Sequence, residues 1–151
     1  MTKIGIVSDT HGVLRRGMLR VLSECDRIIH AGDFDTEETA KTLDRMAPMY
    51  MVRGNCDLWI PSGELETLSF QIEELNFFLV HNRFYAGSIP EGTDIIVSGH
   101  THLYSEQKDE KGRLWLNPGS AFRGRFQEPA TMAVLTVDGR RYSLAKRVIV
   151  M

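Results

Sequence analysis

Three short apolar runs near the start of the chain each break off in a polar, glycine-containing cluster, and helical stripes separate them. Lys3–Ser8 ends in Asp9-Thr10-His11-Gly12, Arg27–His30 in Ala31-Gly32-Asp33, and Met49–Val52 in Arg53-Gly54-Asn55. Between the first two runs, Leu14, Met18, Leu19, Val21 and Leu22 recur at helical spacing, with Arg15, Arg16 and Arg20 on other faces. Ahead of the third, Thr36 is placed as an N-cap with Glu37 and Glu38 in the first turn, and this helix runs to about Met46, stopped by Pro48. Strand, helix, strand, helix, strand predicts parallel βαβ units and so an α/β fold.

The remainder predicts further strands with few helices. Leu65–Ile72 and Asn76–His81 form a hairpin across Glu73-Glu74-Leu75, and Ile95–Ser98 is a buried strand stopped by Gly99-His100-Thr101-His102. Leu103–Lys108 and Leu114–Asn117 pair around Gly112, and Met132–Val137 pairs with Arg141–Val150 around Asp138-Gly139. Arg83–Gly92 is assigned a short helix. A length of 151 residues, with no repeat or linker, fits a single domain spanning residues 1–151.

Composition narrows the function classes. Hydrophobic residues at 42% and charged residues at 25% exclude a disordered or fibrous chain. A net charge of -2 gives no global positive field, so no stable nucleic-acid partner is expected. Two cysteines, Cys25 and Cys56, are too few for a disulfide framework. No apolar stretch approaches the roughly 18 residues of a membrane helix, and the first residues carry no leader-like segment. A cytoplasmic location is therefore expected.

The polar clusters hold two carboxylates, one amide and four histidines at strand ends: Asp9, His11, Asp33, Asn55, His81, His100 and His102. Ligands of α/β sheets gather at the carboxyl ends of strands, so these loops are placed to converge. A lone Asp or His in such a loop is most often a turn former or a hydrogen-bonded structural residue; only the set as a whole points to a site. Carboxylate, amide and imidazole donors without thiolate suit Mn, Fe, Co or Zn. Seven donors exceed the need of one catalytic ion, which keeps an open position, and suit two ions sharing a bridging carboxylate. Asp33, preceded by a glycine that permits close approach, is the bridge expected, and a two-metal clamp suits phosphoester hydrolysis.

Asp9-x-His11, Gly32-Asp33, Gly54-Asn55-x-Asp57, His81 and Gly99-His100-x-His102, in this order, resemble the five blocks of the calcineurin-like metallophosphoesterases. Cys56 within the third block and Asn117-Pro118-Gly119-Ser120 resemble the small YfcE-type phosphodiesterases, relatives of the retromer subunit Vps29. The resemblance runs from Lys3 to about Ser120. It implies a four-layer α/β/β/α sandwich with two divalent ions at one edge. Mn would be the usual ion, with Fe, Ni, Co or Zn as alternatives. Asp9, His11 and His102 would hold the first ion and Asn55, His81 and His100 the second, with Asp33 between. It further implies a phosphodiesterase acting through a hydroxide shared by the metals, with Asn55, His100 and Asp33 catalytic. The substrate would be a small phosphodiester, nucleotide-derived in one version. A second reading is a non-catalytic, protein-binding scaffold of the Vps29 kind, against which the complete donor set argues. A homo-oligomer paired through C-terminal hairpin edges is a further option.

Two positions depart from the family pattern. Cys56 stands where many members carry a histidine that helps protonate the leaving group, which predicts weak action on poor leaving groups. Asn82 follows His81 where relatives often have glycine, so the loop from Arg83 to Pro90 is expected to differ. Asp57 is assigned a supporting or capping role, His30 a structural one, and Thr10 and Asn117 roles in the loops. Arg53, Arg83, Arg123 and Arg125 are candidate phosphate clamps. Met18, Met46, Met49, Met51, Phe70, Phe77 and Phe78 are assigned to packing.

Overall fold

A computed structural model describes residues 1–150. In chain order the elements are β1 (Thr2–Val7), α1 (Arg16–Leu22), β2 (Arg27–His30), α2 (Glu37–Asp44), β3 (Met49–Met51), β4 (Thr67–Ile72) and β5 (Leu75–Val80), followed by β6 (Ile95–Val97), β7 (Tyr104–Lys108), β8 (Leu114–Pro118), β9 (Thr131–Asp138) and β10 (Arg141–Val148). The expected alternation in the first third is present. Thr36 caps α2 by accepting the Thr39 N–H, and the helix ends at Asp44, earlier than the pattern suggested. The chain beyond tightens, with Met46 N–H bonding to Leu43 O ahead of Pro48.

The strands form two five-stranded sheets, ordered β10-β9-β1-β2-β3 and β4-β5-β6-β8-β7. In the first, β1, β2 and β3 are parallel, with β9 and β10 added antiparallel on the β1 side. In the second, β5, β6 and β8 are parallel and flanked by antiparallel β4 and β7. Parallel neighbours end on the same side, which gathers their following loops at a common edge.

Strand alternation divides the apolar residues between layers. Ile4, Ile6 and Ile29 of the first sheet face Phe77, Leu79, Ile95 and Val97 of the second, with Leu135 and Val137 of β9 in the same core. On the other face of the first sheet, Val7, Ile28 and Met132 pack with Met18, Leu22, Ala40 and Leu43 of the helices. The outer face of the second sheet is covered thinly, by Ala86 and Ile89 against Phe78, Val80 and Ile96. The sandwich expected from the family resemblance is there. Its fourth layer is a loop with one 3-10 turn, Arg83–Tyr85. The free edge strand β10 carries Arg141, Lys146 and Arg147, charges of the kind that discourage edge pairing. Among the described residues no helix is long and apolar enough to cross a membrane.

Phe77 is 1% exposed between the sheets, whereas Phe84 on the outer loop is 80% exposed. Phe77→Ala should therefore cost about 3–5 kcal/mol in urea unfolding, and Phe84→Ala within about 0.5 kcal/mol.

Candidate metal centre

Each candidate donor lies just past the end of a parallel strand: Asp9 and His11 after β1, Asp33 after β2, Asn55 after β3, His81 after β5, and His100 and His102 after β6. The structure brings all seven together. Asp9 Oδ1 lies 3.4 Å from His102 Nε2, 3.8 Å from His81 Nε2 and 3.9 Å from His11 Nε2. Asp33 Oδ2 is 3.3 Å from His81 Nε2 and 3.8 Å from His11 Nε2. Asn55 Oδ1 lies 3.0 Å from His81 Nε2 and 3.1 Å from His100 Nδ1. Three donor groups that could hold a cation follow among the described residues: Asp9–His11–His102, Asp9–Asp33–His81 and, toward the surface, His11–Asp35–Cys56. Asp33 reaches both His11 and His81, as a bridge must. Asp9 also faces both sides, a second link that the family pattern did not imply.

The local chemistry fits cations. Asp9 Oδ1 is buried and has no hydrogen-bond partner among the described residues, a costly state for a carboxylate oxygen unless a positive charge completes it. His81 Nδ1 donates to Ala31 O at 2.7 Å, and His11 Nδ1 donates to Asp35 Oδ1 at 3.0 Å. Those acceptors take the Nδ1 protons, which turns the Nε2 atoms of both rings into the cluster. There His11 Nε2 meets His102 Nε2 at 3.3 Å. Imidazole nitrogens this close to one another and to two buried carboxylates form a donor set suited to a cation.

Electrostatics within the cluster agree. Burial works to raise the Asp33 pKa, but His81 and the Cys56 N–H hold the carboxyl well below the usual range. Burial disfavours charge on His81, yet the hydrogen bond to Asp33 and the field of Asp9 keep its pKa above the ordinary value. Burial and the neighbouring Asp33 carboxylate push the Cys56 thiol up to about 11.

The supporting residues explain why these loops hold their shape. Ser8 Oγ and the His100 N–H both donate to Asp9 Oδ2, at 2.7 and 3.0 Å, turning the other oxygen inward. Asp57 is fully buried and takes four backbone N–H groups: Asp33 and Gly54 on Oδ2, and Phe34 and Asp35 on Oδ1, at 2.8–2.9 Å. It thereby ties the loop after β2 to the loop after β3. A Cβ on Gly54 would fall onto Asp33 N and Oδ1, so only glycine permits that approach. Asn117 donates to Gly99 O and Thr101 Oγ1, bracing the His100–His102 loop. Five of the donors (Asp9, His11, Asp33, His100 and His102) have positive φ, from 48 to 72°. Non-glycine backbone in that region concentrates where surrounding contacts over-determine it.

Other assignments resolve individually. His30 is fully buried, stacked 3.6 Å from Phe34 and bonded to Thr10 Oγ1, and burial pushes its pKa down to about 3; it is a structural, neutral imidazole. Of the arginines, Arg53 lines a cavity against the cluster. Arg83 instead lies over the Trp115 ring, and Arg123 over Phe122. Arg125 is exposed, and its backbone N–H bonds His102 O. Asp35, which orients His11, was not among the residues singled out in the sequence; Gly32-Asp33-x-Asp35 was the available signal.

A two-sheet α/β sandwich carrying oxygen and imidazole donors at the carboxyl edge of parallel strands defines a metal-binding protein of the phosphoesterase type. The chain belongs to the calcineurin-like phosphoesterase superfamily, whose domain model matches residues 2–140. It is 29% identical to a probable metallophosphoesterase of Methanothermobacter thermautotrophicus, over 91% of this chain and 87% of that protein. It is 32% identical to one of Mycoplasma pneumoniae, over 80% of this chain and 79% of that protein. Among solved structures, a single mutant of Vps29 from Entamoeba histolytica aligns with a TM-score of 0.81 at 20% identity, covering 98% of this chain and 93% of that one. The phosphoesterase YfcE of E. coli aligns with a TM-score of 0.72 at 23% identity, covering 97% and 99%. These structural likenesses concern the fold. Family membership makes the chain a phosphoesterase and implies divalent metal ions.

Removing the Asp57 carboxylate strands three buried N–H groups, each costing about 1–3 kcal/mol, and the half-buried one of Asp35. Asp57→Ala should lose at least about 3 kcal/mol in urea unfolding. Asp57→Asn should recover little of it, since an amide N–H then faces N–H donors.

Proposed function

We propose that the chain is a binuclear metal-dependent phosphodiesterase, folded as one domain and acting on a small, nucleotide-derived phosphodiester. The observation that carries this reading is the buried Asp9 Oδ1, left unpartnered among converging imidazole nitrogens. Asp9, His11 and His102 would hold one ion and Asn55, His81 and His100 the other, with Asp33 shared. Mn is the ion proposed, with Fe, Ni, Co and Zn compatible with the same donors. Two such ions, when bound, lower the pKa of a water and neutralise charge on the phosphoryl oxygens.

The chain's own groups do the rest. Asp57 and Asn117 hold the donor loops rigid, so the centre needs little rearrangement on binding. Asn55 and His100 line the cavity beside the cluster, in position to orient the phosphoryl group. Cys56 keeps its proton, and the elevated thiol pKa makes it a weak donor to a departing alkoxide. Esters whose leaving group departs without a proton are therefore the favoured substrates.

The direct test is hydrolysis of bis-p-nitrophenyl phosphate with added Mn²⁺. Wild-type protein should turn it over, and Asp33→Asn should lose at least about 100-fold in kcat/KM. Elemental analysis should find close to two divalent ions per chain. A metal-free chain without turnover under any divalent ion would favour the Vps29-like scaffold instead. Cys56→His, which restores a titrating donor, should raise the rate on poor leaving groups and phosphomonoesters about tenfold or more, with little change for the p-nitrophenyl diester. An unchanged monoester rate would place the proton source elsewhere.

A further inference from the structure

Two five-stranded sheets leave four edge strands, β3 and β10 in the first and β4 and β7 in the second. Natural edges are blunted by shortness, charge, proline or a bulge, because an open row of N–H and C=O groups invites another strand. Three of these four are blunted in that way. β3 is three residues long, β7 carries Glu106 and Lys108, and β10 carries Arg141, Lys146 and Arg147. β4 is different. Thr67-Leu68-Ser69-Phe70-Gln71-Ile72 holds no charge and no proline, and its register against β5 runs unbroken from Thr67 opposite Val80 to Ile72 opposite Leu75.

The open side of β4 is arranged for pairing. Bonds of an antiparallel ladder alternate, and the pair closing a two-residue turn, here Ile72 and Leu75, is a bonded one. Counting back from it, Phe70 and Leu68 bond β5, while Thr67, Ser69 and Gln71 turn their N–H and C=O groups outward. Among the described residues no turn, loop or neighbouring strand other than β5 supplies a backbone partner to Thr67–Ile72. The strand is also held still: Phe70 stacks between Tyr50 of β3 and Phe77 of β5, with ring centroids 4.0 and 5.2 Å away. Little ordering is left to be done on association.

The occupant that fits this edge is a second copy of the chain. A two-fold axis through Ser69, normal to the sheet, sets Ser69 opposite Ser69, Thr67 opposite Gln71 and Leu68 opposite Phe70 of the second copy. Exposed polar residues then meet polar ones, and the half-buried Leu68 and Phe70 meet each other at the rim of the inter-sheet core. The same operation at β10 would set positive charges against positive charges. A net charge of -2 leaves little repulsion between whole copies. Tyr50 on Phe70 places β3 on the same flank, and Met49-Tyr50-Met51 is uncharged too. The charged edges share the opposite flank, where Lys146 lies over Tyr104.

We propose that β4 is a self-association edge: two copies pair antiparallel through it, so that the second sheet of one continues into the second sheet of the other. The C-terminal hairpin, the edge suggested by the sequence, is not the pairing surface. The inference rests on the strand edge and is independent of the phosphodiesterase reading.

A contact of one strand per copy lies at the small end of protein interfaces, so a Kd in the micromolar range is expected. Sedimentation equilibrium of the wild-type chain up to about 100 µM should therefore show monomer and dimer together. Ser69→Lys sets two ammonium groups against each other and should raise Kd about tenfold or more. Ser69→Glu should do the same with two carboxylates, and circular dichroism should show both variants folded. Mixed in equal amounts, the two variants should associate again, because the opposed charges then attract. Ser143→Lys, at an exposed position of β10, should leave the wild-type Kd unmoved. A wild-type chain that stays monomeric overturns the proposal and leaves β4 to a strand of another protein. A dimer that both Ser69 variants leave intact, or variants that fail to associate when mixed, overturns it equally.

Discussion

One buried carboxylate sets the geometry of the centre. Burying Asp57 costs several kcal/mol unless donors replace its water, and four backbone N–H groups from two loops do so. The constraint runs both ways: each loop must present its N–H groups to the same two oxygens, so the loops cannot move independently. Asp33, the proposed bridge, and Gly54, the neighbour of the candidate amide donor, are bonded to the same oxygen, Oδ2. Gly54 then packs against Asp33 with no space for a side chain. A fixed distance between the Asp33 and Asn55 arms is the outcome, and it exists before any ion arrives.

The sheets supply what this constraint acts on. Parallel strands β1, β2 and β3 and parallel strands β5 and β6 release their loops at one edge, while the inter-sheet core is filled by side chains such as Ile4, Phe77, Leu79 and Leu135. The edge holds the cost of the arrangement: five donors in left-handed backbone, at about 1 kcal/mol or more each, and a carboxylate oxygen lacking a partner. A dense core under rigid strands is what keeps such a strained, polar edge from relaxing.

The convergence of the seven candidate donors was legible in the sequence because each follows a strand whose apolar pattern is local. Thr36 and the Glu73–Leu75 hairpin were legible for the same reason. Asp35 was not, since its contact with His11 depends on a φ of 72° and a loop path that no pattern encodes. Asp57 was read as supporting or capping with no choice between them; its partners lie 22–24 residues away in the chain, apart from Gly54. The four arginines looked equivalent, and only tertiary packing separates Arg53 at the cavity from Arg83 on Trp115. The thin fourth layer was legible in part: the sequence left room for a short helix in Arg83–Gly92, and the structure keeps one 3-10 turn of it, Arg83–Tyr85.

Proton supply is where this centre differs most from a general-purpose hydrolase. His11 and His81 spend their Nδ1 protons on Asp35 and Ala31 and turn Nε2 toward the cluster. His30 is neutral, buried and committed to Thr10 and the Gly32 N–H. Burial and the Asp33 carboxylate raise the Cys56 thiol pKa, which makes it a weak acid toward a departing oxygen. The groups that make the centre a good cation trap are thus the ones withdrawn from acid catalysis. Under the proposed phosphodiesterase function, selectivity for the leaving group would follow from that division. A net charge of -2 obscures this, because the carboxylates that matter, Asp9 and Asp33, are buried and turned toward the cations they would bind.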